Sequence, residues 1–335
     1  MSILLFADER VAEHRPPQGH PERPERYVAA VQGVEAAGFG DAIEWREPTL
    51  APETALVAVH DQAHIDSIFA RGDDQYVQID ADTHMSTGSL TAARLAAGAG
   101  LDAIEALRAG EADGAFCLVR PPGHHATPTR AMGFCLFNNI GVAAQAITDA
   151  GERVAIIDFD AHHGNGTQDA FFERDDVLFV STHEYPQYPG TGALTERGRG
   201  VGAGYTINLP MPSGATGDVY LRAFEEVVEP ALEGFAPDWI LLSAGFDAHR
   251  ADPLTRLGLT SGDYEAMTRR IVDHAKPGRR IAFLEGGYDL DALGHSTASC
   301  VAAMLGESYG AESQTNGGPG NAMIDAAIEL HRTEN

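Results

Sequence analysis

At 335 residues, 44% of them hydrophobic, the chain has enough apolar material for one large α/β domain or two smaller ones. Forty-nine acidic residues against 23 basic ones leave a net charge of −26, which opposes binding to nucleic acid or an anionic membrane and favours cationic ligands, although a salty cytoplasm would select the same surface. No run approaches the roughly 18–20 apolar residues that cross a bilayer, and the opening MSILLFADER is too short and too acidic for a secretory signal, so a cytoplasmic protein is expected.

Helical spacing runs over Gly88–Ala109, and a short buried-strand pattern over Ala115–Val119. A helix over Asn139–Ala150 leads to strands at Val154–Ile157 and Val177–Ser181. A helix over Val219–Glu233, a strand at Trp239–Ser243, a helix over Ser261–His274 and a strand at Ile281–Leu284 follow. This β-α-β order predicts an α/β fold of three layers, with a mainly parallel central sheet covered by helices on both faces. Residues 1–306 form one domain in this reading. In the tail, 307–335, the Gly-, Ser-, Asn- and Gln-rich stretch Glu307–Gly320 is expected to be a flexible connection to a last short helix near Ala322–His331.

The three cysteines, Cys117, Cys135 and Cys300, are odd in number and widely spaced, so they read as small buried apolar residues rather than disulfides or zinc ligands. Lys276 is the only lysine, a bias that base composition can explain. The polar segments RPPGHHA, DFDAHHGNG, STHEY, SAGFDAH and EGGYDL each sit at or just beyond the carboxyl end of a predicted strand, where open α/β sheets place their ligands.

In the second of these segments, Asp158, Asp160 and His162 alternate along extended chain and leave it on one side. A carboxylate and an imidazole two residues apart can address one ion, and Asp247 supplies a third ligand from another strand end. Three N/O ligands leave room for water and substrate, as in a catalytic zinc site with bonds of about 2.0–2.2 Å. The competing reading is that Asp160 and His162 only pair with each other or cap the next helix. Fe(II) tolerates the same ligands; zinc suits a hydrolysis that needs a Lewis acid and no redox change. His124 and His125 follow a rigid Pro-Pro-Gly turn that can aim one or both imidazoles at such a metal, with Asp158 and Asn165 as partners behind them. Tyr288, after two glycines, could donate to an oxyanion, or could be a structural aromatic.

With these residues assembled, the chain resembles the zinc-dependent histone deacetylase and acetylpolyamine amidohydrolase superfamily, which shares the arginase-like fold. The resemblance runs from about His20 to Leu293 through HPERPER at 20–26, RPPGHHA at 120–126, MGFCLFNN at 132–139, DFDAHHGNGTQ at 158–168, PGTG at 189–192, AGFDAHRADPL at 244–254 and EGGY at 285–288. It implies a deacetylase in which Asp160, His162 and Asp247 hold zinc and His125, backed by Asn165 in the class II manner, is the general base. His124, oriented by Asp158, is electrostatic or acid in role, and Tyr288 stabilises the oxyanion.

By the same resemblance Gly133, Phe134 and Tyr188 line an acyl-lysine tunnel with Leu254 at its gate, and Arg23 stands beside an acetate-release channel. Potassium is implied at an inner site, Asp158, Asp160, His162, Ser181 and Thr182, and at an outer one, Phe171, Arg174, Val177 and Tyr205. Leu254 at the gate favours acyl-lysine or a broad acyl amide over an acetylated polyamine, while acidic residues of the loop Asp73–Asp82 would favour the polyamine. A non-catalytic acyl-lysine binder and an arginase-like guanidine hydrolase are the rival readings. No nucleic acid or membrane partner is expected, and a homo-oligomer is compatible with the sequence.

Overall fold

The computed structural model describes residues 1–72 and 76–332. Among these residues the strands are β1 (Ile3–Phe6), β2 (Ile43–Arg46), β3 (Val77–Gln78), β4 (His84–Met85), β5 (Gly114–Cys117), β6 (Val154–Asp158), β7 (Val177–Glu184), β8 (Thr206–Met211), β9 (Trp239–Ala244) and β10 (Arg280–Leu284). The α-helices are α1 (Glu25–Ala37), α2 (Glu53–Val57), α3 (Gln62–Phe69), α4 (Ser89–Arg108), α5 (Asn139–Thr148), α6 (Asn165–Phe171), α7 (Gly217–Ala223), α8 (Glu229–Phe235), α9 (Ser261–Val272), α10 (Leu290–Leu305) and α11 (Asn321–Arg332). A wide π turn, Phe224–Val228, joins α7 to α8, so the single helix expected there is one rod with a local widening. None of the described helices is long and apolar enough to cross a membrane.

Eight strands form one sheet in the order β2-β1-β5-β10-β9-β6-β7-β8, and every neighbouring pair is parallel. A sheet of this kind must be covered on both sides, and the strand residues divide accordingly. Leu5, Phe116, Ile157, Leu242 and Leu284 enter one core with α1, α7, α8, α9, α10 and α11. Their strand neighbours Leu4, Cys117, Ile156, Leu241 and Phe283 enter a second core with α4, α5 and α6. The three layers expected from the β-α order are thus built by period-two alternation along each strand.

A buried ion cluster ties the front of the chain to this frame. Both oxygens of Glu22 accept from the guanidinium of Arg120, one of them at 2.7 Å, and Arg26 lies 3.3 Å from the other. Burial alone would raise the Glu22 carboxyl, but Arg120, His14 and Arg26 hold it well below the usual carboxylate range. Arg120 is also the first residue of the turn that carries His124 and His125, so the cluster sets where that turn begins.

The tail departs from the expectation of a flexible connection. Glu312 bonds His249, Arg250 and Ser261. Thr315 bonds Asp263 and Gly217, and Gly317 N–H donates to Asp218. Polar, glycine-rich composition gives such a segment turns, and here side-chain carboxylates of the domain satisfy its backbone. The last helix is present at Asn321–Arg332, and Ile324, Ala327 and Ile328 join the first core.

Removing the carboxylate from the buried cluster strands two guanidinium groups. Glu22→Ala is expected to lower stability by about 3–5 kcal/mol in urea denaturation, whereas Glu173→Ala, which breaks an exposed pair with Arg199, leaves the midpoint nearly unchanged. Equal effects of the two would contradict this assignment.

Candidate active site

Five strands that are adjacent in the sheet, β5, β10, β9, β6 and β7, deliver the polar segments to one rim at their carboxyl ends. His124 and His125 follow β5, Tyr288 follows β10, Asp247 follows β9, Asp160 and His162 follow β6, and Tyr188 follows β7. Convergence of residues more than a hundred positions apart is therefore a consequence of strand order and parallel register.

Asp160, His162 and Asp247 are all buried, and one ligand atom from each lies within 4.8 Å of the others. His162 Nδ1 faces Asp247 Oδ2 at 2.9 Å and Asp160 Oδ1 at 3.3 Å. Backbone N–H groups fix the carboxylates: Gly286 N donates to Asp160 Oδ2 at 2.8 Å and Ala161 N to Asp247 Oδ1 at 2.7 Å. Burial disfavours an imidazolium here, yet Asp247 and Asp160 push His162 well above the ordinary histidine range. Carboxylates that pull so strongly on a proton pull equally on a divalent cation, which would displace the proton from Nδ1. Two carboxylate oxygens and one imidazole nitrogen, with His162 on the wall of an open cavity, fit the donor set of a catalytic zinc site.

The two tandem imidazoles differ. His124 Nδ1 donates to Asp158 Oδ2 at 3.0 Å, and although burial opposes its charge, Asp160 and Asp158 raise it to about 10. His125 Nδ1 donates to the amide oxygen of Asn165 at 2.8 Å, which leaves its Nε2 an acceptor. Burial, and the neighbouring His124 and His162, hold His125 well below the ordinary histidine range. A carboxylate behind one ring and a neutral amide behind the other thus push the two imidazoles in opposite directions, a division that separates an acid from a base. Glu285 accepts from Gly123 N at 2.7 Å and His124 N at 3.1 Å and so clamps the turn.

A cavity of about 210 Å³ opens beside the cluster, and Gly133, Phe134, Tyr188 and Leu254 all line it together with His125, His162 and Tyr288. Gly133 and Phe134 both have positive φ, 56° and 69°, and Phe134 N–H is held by the Thr83 hydroxyl at 3.1 Å. A phenylalanine in the left-handed region costs on the order of 1 kcal/mol or more, and it turns this ring toward the cavity, edge-on to Tyr288 at 5.9 Å. Tyr188 stands edge-on to His125 at 5.2 Å. The Tyr288 main-chain N–H donates to Asp252 Oδ2 at 2.7 Å.

Three features of the site were not legible as such. Asp82 lines the cavity, whereas Asp73 and Asp74 of the same acidic loop lie outside the described residues. Arg23 is exposed; the arginine beside the site is Arg26, which is fully buried, donates to the carbonyls of Gly287 and Glu285, and lies 4.9 Å from the Tyr288 ring. The repeat of arginines in HPERPER hid this, because on α1 the inward face begins at Arg26. Asp252 was present only as part of a motif, and its role depends on a loop that folds back to Tyr288.

Of the residues matched to cation sites, Asp158 pairs with Ser181 in the β6–β7 register, and the Thr182 hydroxyl donates to the Asp158 carbonyl at 3.3 Å. Asp160 and His162 continue from the same strand end. Phe171, Arg174 and Val177 lie on the turn from α6 into β7, and Tyr205 accepts from Phe179 N just before β8, so these four share the opposite end of β7.

A family model described as a histone deacetylase domain matches residues 20–304. The chain is 39% identical over 310 residues to a probable deacetylase of Archaeoglobus fulgidus, covering 90% of this chain and 86% of that one. It is 39% identical over 276 residues to a histone deacetylase-like amidohydrolase of Pseudomonas aeruginosa, covering 81% and 73%. The crystal structure of an HDA15 HD domain superposes with a TM-score of 0.92 at 36% identity, covering 99% of this chain and 95% of that one.

Close packing around the carboxylates makes the metal cluster sensitive to one methyl group. A Cβ on Gly245 would lie 1.9 Å from Asp160 Oδ2. Gly245→Ala is expected to weaken binding of a divalent metal ion by about 10- to 100-fold in chelator competition, the range seen when groups behind metal ligands are disturbed. Unchanged affinity would mean that Asp160 does not hold the ion.

Proposed function

Since the chain belongs to the histone deacetylase domain family and has the hydrolase chemistry of that family, we propose that it is a zinc-dependent deacetylase of acyl-lysine or a similar linear acyl amine. The observation that carries this reading is one cavity whose wall combines a metal ligand, His162, with the neutral imidazole of His125 and the phenol of Tyr288. A non-catalytic binder would have no use for that combination, and one trio of metal-ligating side chains among the described residues does not suit a two-manganese guanidine hydrolase.

Zinc held by Asp160, His162 and Asp247 would supply Lewis acidity, polarising the acyl carbonyl and lowering the pKa of water; Fe(II) suits the same ligands. His125, neutral and with Nε2 free to accept, takes the proton of the attacking water. Tyr288 donates its phenolic hydrogen to the oxygen that gains charge, and the carbonyl clamp of Arg26 on its loop fixes the approach. His124, paired with Asp158, which favours its protonated form, stabilises the developing negative charge and is placed to protonate the departing amine.

Phe134 and Tyr188 suit the alkyl stem of an acylated lysine, and exposed Leu254 offers no charge at the gate. A second reading, acetylpolyamine hydrolysis, is favoured by Asp82 on the cavity wall, where its carboxylate could meet a distal ammonium. Potassium at the Asp158–Thr182 position, and less fully at the outer one, belongs to the same proposal and is supported by the register that groups these residues. So does a reducing, cytoplasmic setting, supported by three free buried cysteines. No nucleic acid or membrane partner is part of the proposal, which leaves a homo-oligomer open.

A panel of acetyl-lysine peptides, longer acyl-lysines and N-acetylputrescine tests this on zinc-loaded protein. Acetyl-lysine peptide is expected to turn over fastest, with Tyr288→Phe lowering kcat by about 10²- to 10³-fold and His125→Ala by about 10²- to 10⁴-fold. Faster turnover of N-acetylputrescine would select the polyamine reading, and turnover of none of them would refute both.

A further inference from the structure

The segment between α10 and α11 lies beyond residue 304, where the family match ends, yet one of its side chains reaches the loop that follows Asp247. Glu312 Oε2 lies 2.7 Å from His249 Nε2, and Oε1 accepts from Arg250 at 2.7 Å. The same Oε2 accepts from the main-chain N–H and the hydroxyl of Ser261, both at 3.1 Å, at the start of α9. His249 is buried, and its Nδ1 accepts from Ala251 N at 3.1 Å. An imidazole nitrogen that accepts from a backbone N–H carries no proton, so Nε2 carries it and donates to Glu312.

The loop so held bends back on itself. Asp252 N donates to the His249 carbonyl at 2.8 Å, and the Asp252 carboxylate then accepts from two residues of the site. Oδ1 takes the N–H of Leu254 at 2.9 Å, and Oδ2 takes the N–H of Tyr288 at 2.7 Å. One carboxylate thus sets both the gate of the cavity and the residue that bears the phenol. The His249 ring meets this loop at Ala251 N–H, the residue before Asp252, and Glu312 holds the other edge of that ring.

We infer that Glu312 is a positioning residue for Tyr288 and Leu254, acting through His249 and Asp252, so that the C-terminal segment completes the site from outside the matched domain. The consequence for turnover rests on the deacetylase reading of Tyr288; the structural linkage does not.

The test uses the full chain and two readouts. Glu312→Ala is expected to quicken amide hydrogen exchange about tenfold in 249–254 and 286–290, and to lower kcat on acetyl-lysine peptide about tenfold, a misplacement effect. In a Tyr288→Phe background the same change should cost less than about twofold, because the two residues act as one unit. Glu312→Gln keeps an acceptor for His249 but loses the charge that meets Arg250, and should fall between; it carries the comparison if the alanine variant does not fold. Arg222→Ala, which releases the tail at Asn321 and Asp325 instead, should leave exchange at 286–290 and kcat unchanged. Unaltered exchange at 286–290 in Glu312→Ala and Glu312→Gln, or an equal loss of kcat in both backgrounds, would overturn the inference. A wild-type chain that hydrolysed no acyl amide would sink the functional reading alone, and the exchange data would still decide this one.

Discussion

Too much negative charge is buried at one rim of the sheet for the carboxylates to stand there unaided. Asp158, Asp160, Asp247, Asp252 and Glu285 are all buried within a few loops of each other. Burial raises Asp158 to about 6 and both Asp252 and Glu285 to about 7, with neighbouring carboxylates adding to the effect for each. Three kinds of partner offset this: backbone N–H groups from the loops after β5, β6 and β10, the imidazoles of His124 and His162, and the cation that Asp160, His162 and Asp247 would hold. The glycines at 245 and 286 follow from the same crowding, since a side chain at either would strike a ligand carboxylate.

Parallel strand order makes such a concentration possible. Each crossover returns a new strand end to the same rim, so five segments spread between residues 120 and 290 meet without any of them being long. The two cores, one on each face, keep β5, β10, β9, β6 and β7 fully covered, and the rim inherits their rigidity. Glu22 with Arg120 and Arg26 with the carbonyls of 285 and 287, both from the segment at 20–26, and Glu312 with His249 from the tail then fasten the loops.

What could be read from the sequence was whatever follows directly from residue type and from place after an apolar run. Val154–Ile157 and Trp239–Ser243 are strands within a residue, and Asp160, His162, Asp247, His124, His125 and Tyr288 meet as their placement predicts. Strands β1, β2 and β8 of the sheet escaped notice: β1, ILLF, was read only as part of the opening stretch, β2 is a half-exposed edge, IEWR, and β8, TINLPM, mixes polar residues and a proline into its run. Arg26 escaped because its meaning lies in carbonyls about 260 positions away. The tail was misread as flexible for a related reason: its glycines and polar residues are bound by carboxylates of α7 and α9 that local composition cannot reveal.

The central claim is that Asp160, His162 and Asp247 hold the one ion on which hydrolysis depends. It is tested most directly by titrating zinc into metal-stripped protein while following bound metal and acetyl-lysine hydrolysis together. The account predicts that both rise in parallel and saturate at one zinc per chain, and that Asp247→Ala loses both. Full hydrolysis by the stripped protein, or tight stoichiometric zinc binding that survives Asp247→Ala, would contradict it.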